Sequence, residues 1–231
     1  MNKRYDPSQP RVPAGSSKGG QWMKREEAEK IYNTVYPNDL NVSQRAKEEK
    51  HKKTTEGGIG IEIDGLTPCL RRLSDGAIVE TEFVEVHPKK KSDFPGWEFN
   101  WSKPEKEGCS VYALKAKGDD RIQGLVAMRS DPKNNAYFIN IVEAAPFNNK
   151  HNKSFIKKEY EGVGGHLFAE AARRSKEEGF GGAVWFAAKT NLIEHYISEL
   201  GAEVTNRLFG YMKIEGESSE NLIKKYYGVK K

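Results

Sequence analysis

The residues best placed by type and spacing to do chemistry form the stretch EYEGVGG at 159–165, followed at once by His166 and an apolar run of helical period. Glycines at 162, 164 and 165 let a backbone turn sharply and approach a ligand with no Cβ in the way. At a helix entrance the first-turn N–H groups have no partner inside the helix, and the helix dipole adds partial positive charge. A phosphate or pyrophosphate is the natural occupant. Glycine at a helix entrance also serves packing and capping, so the stretch alone does not choose between these uses. Two phosphate loops are excluded by the residues themselves. The lysine and hydroxyl that close a P-loop are missing, since Gly165 is followed by His166 and Leu167. The dinucleotide fingerprint lacks its third glycine, and the strand expected before it, at 136–143, lies well upstream.

Elements that position this stretch can be read from periodicity. Alternating segments at 110–115, 122–128 and 136–143 are separated by Gly118-Asp119-Asp120 and Asp131-Pro132, which predicts an antiparallel meander. The period then changes. A helix is expected over 164–176, with Leu167, Phe168, Ala171, Ala172 and Ser175 on one face and Gly179 closing it. The apolar run 182–188 predicts a strand buried on both faces. A helix over 191–200 and a strand over 208–214 complete the pattern. Strand, glycine turn, helix, strand, helix, strand requires a helical crossover and therefore a parallel strand pair. Upstream, strands are expected at 59–63, 68–73 and 77–86, with Asp75-Gly76 as a turn. Residues 88–104 read as a long loop carrying a short strand at 97–101.

The N-terminal part has another character. Residues 1–21 are rich in Pro, Gly, Ser and basic side chains and should be extended or disordered. Helices are expected at 24–36, ended by Pro37, and at 42–52, where almost no apolar stripe exists to hold one to a core. Gly57-Gly58 marks the expected boundary between a charged extension, 1–56, and a folded domain, 57–231. The 231 residues carry a net charge of +5, with basic runs at 45–53 and 89–91. A solvated face is the simplest reading of each run, and neither is interleaved with the aromatics of single-strand binders. Cys69 and Cys109 make neither a disulfide framework nor a zinc site, and no metal is called for. No apolar run is long enough to span a bilayer and the polar N-terminus is no signal peptide, so a cytoplasmic protein with no membrane partner is expected.

With glycines 162 and 164, apolar Val163 between them and a helix, a strand and another helix after them, residues from 110 onward resemble the GNAT superfamily of N-acyltransferases. That family's motif is Arg/Gln-x-x-Gly-x-Gly/Ala. The resemblance implies an α/β (α+β) domain whose mixed, mostly antiparallel central sheet has flanking helices and a splayed parallel strand pair. It implies acetyl-CoA, or another acyl-CoA, as cosubstrate. Gly162 would shape the pyrophosphate loop, and Val163, Gly164, Gly165 and His166 would offer backbone N–H groups. The pantetheine arm would enter between strands 136–143 and 182–188, along Ile141, Val142 and Glu143. Asn191 matches the asparagine that opens the next helix and contacts the coenzyme. Glu143 is the candidate base and Tyr196 the candidate acid for the departing thiolate, with His195 a lesser alternative. Glu143 reads equally as a strand-end carboxylate in solvent. Tyr196, among Leu192, Ile193 and Leu200, reads equally as a core residue. Trp97, Trp101 and Trp185 read as packing residues, the first two near any acceptor.

The chain departs from the family pattern in three places. Glu159 stands where Arg or Gln is usual, Tyr196 is one residue early, and no helix pair is evident between 64 and 108. The implied activity is N-acetylation of an amine on a protein, a polyamine or an aminoacylated RNA. The alternative is a GNAT-fold binding module of a phage or mobile element that no longer turns over, or one that contacts nucleic acid. Residues 9–22, QPRVPAGSSKGGQW, resemble short terminal segments of phage and prophage morphogenesis proteins.

Overall fold

The computed structural model describes residues 70–148, 158–189, 192–206 and 209–228. The helices expected at 24–36 and 42–52, the strand at 59–63 and the boundary at Gly57-Gly58 lie outside the described residues. The architecture is α+β, built on a seven-stranded and a three-stranded sheet.

Alternation of apolar and polar residues lays down the first half of the large sheet. Strands β3 (Thr81–Val86), β4 (Ser110–Ala116), β5 (Asp119–Asp131) and β6 (Ala136–Ala144) pair antiparallel in sequence order, as the meander expected. Asn135, at φ 45°, closes the hairpin between β5 and β6. Helix α2 (Val163–Glu177) then carries the chain to β8 (Val184–Ala187), which lies parallel to β6. Helix α3 (Ile193–Leu200) leads on to β9 (Glu203–Asn206) and β10 (Tyr211–Ile214). Because β10 inserts between β8 and β9, the order across the sheet is β3-β4-β5-β6-β8-β10-β9. The helix expected at 191–200 begins at Ile193, and the strand expected at 208–214 shrinks to β10.

Each sheet face buries a different layer. Val126, Met128, Ile139, Val184, Phe186, Met212 and Ile214 point at α2, α3 and α4 (Gly216–Tyr227) and form the larger core with Leu167, Phe168, Tyr196, Leu222 and Tyr226. Val111, Ala113, Leu125, Ala127 and Phe138 point the other way and are covered by Trp101, with Phe94, Trp97 and Phe99 packed alongside. That second cover is the 87–109 segment, whose regular pieces are a 3₁₀ turn at Lys91–Asp93 and a single turn, α1 (Lys103–Lys106). No strand forms at 97–101, because Glu98 and Phe99 give their amides to a side chain.

The rest is held in a small sheet of order β2-β1-β7, made of β1 (Leu70–Arg72), β2 (Ile78–Val79) and β7 (Tyr160–Glu161). The strand expected at 77–86 is therefore two, broken at Glu80 and shared between sheets. No helix among the described residues is long and apolar enough to cross a membrane.

Candidate functional site

Strand β7 delivers the chain straight into the glycine loop, so a strand immediately precedes it after all. Arg71 and Arg72 of β1 pair with Glu161 and Tyr160, and the next residue, Gly162, turns at φ +88°, a conformation that favours glycine. Helix α2 starts at Val163. The first backbone bond of the helix runs from His166 N–H to Gly162 C=O, 3.0 Å. The amides of Val163, Gly164 and Gly165 precede that bond and have no acceptor within the helix. His166 leaves the set expected to hold a phosphate: its amide is committed, and its ring is buried against Phe83, Tyr226 and Tyr227 with Nε2 3.4 Å from Thr81 Oγ1. Burial holds its pKa down at about 4, against the opposing charge of Glu170.

Underneath the loop lies Gly124 of β5. A Cβ there would come within 2.7 Å of Val163 Cγ1, 3.0 Å of Leu167 Cδ1 and 3.3 Å of the Glu143 carbonyl oxygen. Only a glycine lets the first turn of α2 sit this close to the sheet. Asn148 ties the loop's approach to the same strand. Its Oδ1 accepts from Tyr160 N–H at 3.0 Å, while its Nδ2 donates to Gln123 Oε1 at 2.9 Å. Both carboxylates flanking the loop are held by arginines. Glu159 accepts from Arg121 Nη1 and Nη2 at 3.1 and 2.7 Å, and Glu161 pairs with Arg71. Arg121 is fixed in turn by Asp119 and by the Phe147 ring, 4.7 Å away, and the bonds to Asp119 and Glu159 raise its pKa further.

Beside the loop the parallel pair opens. Tyr137, Phe138 and Ile139 of β6 pair with Val184, Trp185 and Phe186 of β8, and the pairing stops there. The next residue, Asn140, is skipped in the ladder with β5, where Ala127 faces Ile141 and Met128 faces Ile139. Such a bulge bends the strand and increases its twist. Past it, Ile141, Val142 and Glu143 stay paired with Ala127, Val126 and Leu125, while Ala188 N–H turns to Gly210 C=O. Past Ile139 and Phe186 the two strands are therefore no longer paired. The 182–188 run is fully buried on one face and only half-buried on the other, at Trp185 and Ala187. Trp185 stacks on Phe138 at 4.2 Å and donates Nε1–H to Asp131.

Glu143 sits at this opening, 7 % exposed, and is not a solvent-facing strand end. Its Oε1 accepts from Glu98 N–H at 2.6 Å, and its Oε2 accepts from Phe99 N–H at 3.3 Å and Trp101 Nε1–H at 3.0 Å. Burial raises its pKa, and these three donors pull part of the way back. The carboxylate anchors a strap, residues 98–101, rather than standing free as a base. The strap reaches across to β8, where Lys189 Nζ lies 3.9 Å from Glu98 Oε1 and 5.9 Å from the centre of the Phe99 ring.

Tyr196 is removed from any site. It is fully buried between Phe168 and Phe186, because the helical spacing that brings Ile193 and Leu200 inward brings Tyr196 with them. His195 is half-buried, and its Nε2 has no hydrogen-bond partner among the described residues. Asn191 lies outside the described residues. The structure thus brings together Gly162, Val163, Gly164 and Gly165 with the opened edge of β6, and leaves out Tyr196 and His166. Arg121, Gly124, Asn148, Glu98 and Lys189 were not anticipated. Gly124, a glycine inside an alternating strand, is the one with a local signal. No protein-family model matches this chain, and no curated protein matches it in sequence.

Proposed function

We propose that the protein is an acyl-CoA-dependent N-acyltransferase of the GNAT type, acetyl-CoA being the expected cosubstrate. The observation that carries this reading is the parallel pair β6–β8, which parts after Ile139 beside a helix entered through Gly162 in the left-handed region. The amides of Val163, Gly164 and Gly165 would take the pyrophosphate, and the edge of β6 at Ile141, Val142 and Glu143 would take the pantetheine arm. Glu159, a carboxylate in the motif's basic position, fits because Arg121 neutralises it. Backbone N–H groups at the opened edge would polarise the thioester carbonyl. With Tyr196 in the core, the thiolate takes its proton from water.

A second reading, a binding module that no longer turns over, is favoured by Glu143 and Tyr196 both being committed to structure. Thermal unfolding with and without acetyl-CoA separates the two. A ligand at about a hundred times its dissociation constant adds roughly 2.7 kcal/mol of stability. The expected outcome is a rise in melting temperature that a Gly164→Asp variant loses. No rise in the folded protein at saturating ligand would sink the proposal.

A further inference from the structure

Where β6 and β8 part, the chain has already placed a primary amine. Lys189 lies just beyond Phe186, the last β8 residue paired with β6, and Glu143 lies beyond Ile139, its counterpart on the other strand. The strap joins the two sides. Its amides at Glu98 and Phe99 are fastened to Glu143, and its Glu98 carboxylate and Phe99 ring face the Lys189 ammonium at 3.9 and 5.9 Å. A carboxylate beside an aromatic face is a recognition pair for an alkylammonium ion. The side chains of Lys189 and Glu98 remain 45 % and 65 % exposed, so the pair orients the amine at the surface and leaves it open to solvent.

We propose that Lys189 is an acyl acceptor, a self-modification site where β6 and β8 part, with Glu98 and Phe99 as the pair that positions its amine. This rests on the acyl-CoA reading. Once the ammonium has given a proton to water, the Nζ lone pair attacks the thioester carbonyl carbon. The C–N bond forms and the C–S bond breaks; the nitrogen sheds its proton to water, and the thiolate leaving on coenzyme A takes a proton from water. The products are an Nε-acyl-lysine and free coenzyme A. Acylation removes the charge that binds Lys189 to Glu98 and Phe99, so the strap loses its hold on β8 while keeping its hold on β6.

The test is peptide mass mapping of the full chain after brief incubation with acetyl-CoA. Unassisted chemical acetylation follows exposure and the fraction of neutral amine, and exposed Lys133, which has no ion pair among the described residues, is its reference. Positioning should make Lys189 react roughly tenfold faster than Lys133. The preference should vanish in Gly164→Asp and, with no mutation at all, under excess unacylated coenzyme A. Equal or faster modification of Lys133, in a protein whose melting temperature still rises with acetyl-CoA, overturns the assignment and leaves the coenzyme reading standing. A Lys189 preference that survives excess coenzyme A also overturns it. No rise in melting temperature overturns both.

Discussion

Two carboxylates, Glu159 and Glu161, flank a loop whose three amides have no acceptor within the helix and suit an anion, and at this range an unpaired negative charge opposes binding. Arg121 reaches Glu159 with both terminal nitrogens, and Arg71 reaches Glu161, so neither carboxylate confronts the loop alone. The pair is half exposed, and its own contribution to stability should stay below about 1 kcal/mol. Its effect on a bound polyanion is separate, because removing Arg121 leaves Glu159 uncompensated. Arg121→Ala should therefore weaken acetyl-CoA binding by roughly three- to tenfold at low salt, and less at high salt. Adding Glu159→Gln to that variant should restore most of the loss, as titration calorimetry on the three proteins would show. A double variant as weak as the single one would mean that Arg121 touches the ligand itself or only braces the loop.

At the scale of elements, the loop works only if α2 can lie against β5, and Gly124 decides that. A methyl group there would meet Val163 Cγ1 at 2.7 Å, and a β-branched neighbour has little freedom to move aside. Gly124→Ala should cost about 1–3 kcal/mol by urea denaturation and lift the first turn of α2 away from the sheet. Val163→Ala in the same chain should recover part of that loss, and a Gly124→Ala protein of unchanged stability would contradict the contact. Elements were legible in the sequence where pattern is local. Period-two alternation gave β4, β5 and β6, and the 3.6 period of Leu167, Phe168, Ala171 and Ala172 gave α2. Strands β7 and β9 are too short for a pattern; β7 exists through a partner far along the chain, Arg71, and β9 through the strand that follows it, β10. Helix α4 was missed in a polar stretch whose inward residues are Ser219, Leu222 and Tyr226. Its docking depends on Gly182, where a Cβ would meet the Ser219 hydroxyl at 2.3 Å. The glycine loop was legible by composition. The roles of Glu143 and Tyr196 were not, because one is set by an irregular strap and the other by a core that shares its helical spacing.

At the scale of the whole described fold, three elements close on one buried imidazole. His166 on α2 is packed by Phe83 of β3 and by Tyr226 and Tyr227 of α4, so the edge strand, the central helix and the last helix meet on one ring. Thr81 Oγ1 is its one polar neighbour at 3.4 Å, and its Nδ1 has no partner among the described residues. The charge nearest it is Glu170, which is itself engaged by Arg173, Arg174 and Tyr227 and so gives little support to an imidazolium. The native state therefore keeps His166 neutral down to about pH 4, while the unfolded chain protonates it near pH 6.5. Between those values the unfolded state binds more protons, so stability rises with pH there, is fully present above 6.5 and falls as pH drops toward 4. Glu143, with its raised pKa, gives the opposite slope over the lower part of that range, so the His166 share has to be isolated by substitution. Urea denaturation at about pH 7.5 and 5 should show the natural protein losing about 2 kcal/mol more than His166→Phe, which keeps a ring in the cage and removes the titration. Equal losses in the two proteins would mean that the imidazole reaches water in the native state, and that β3, α2 and α4 do not close over it.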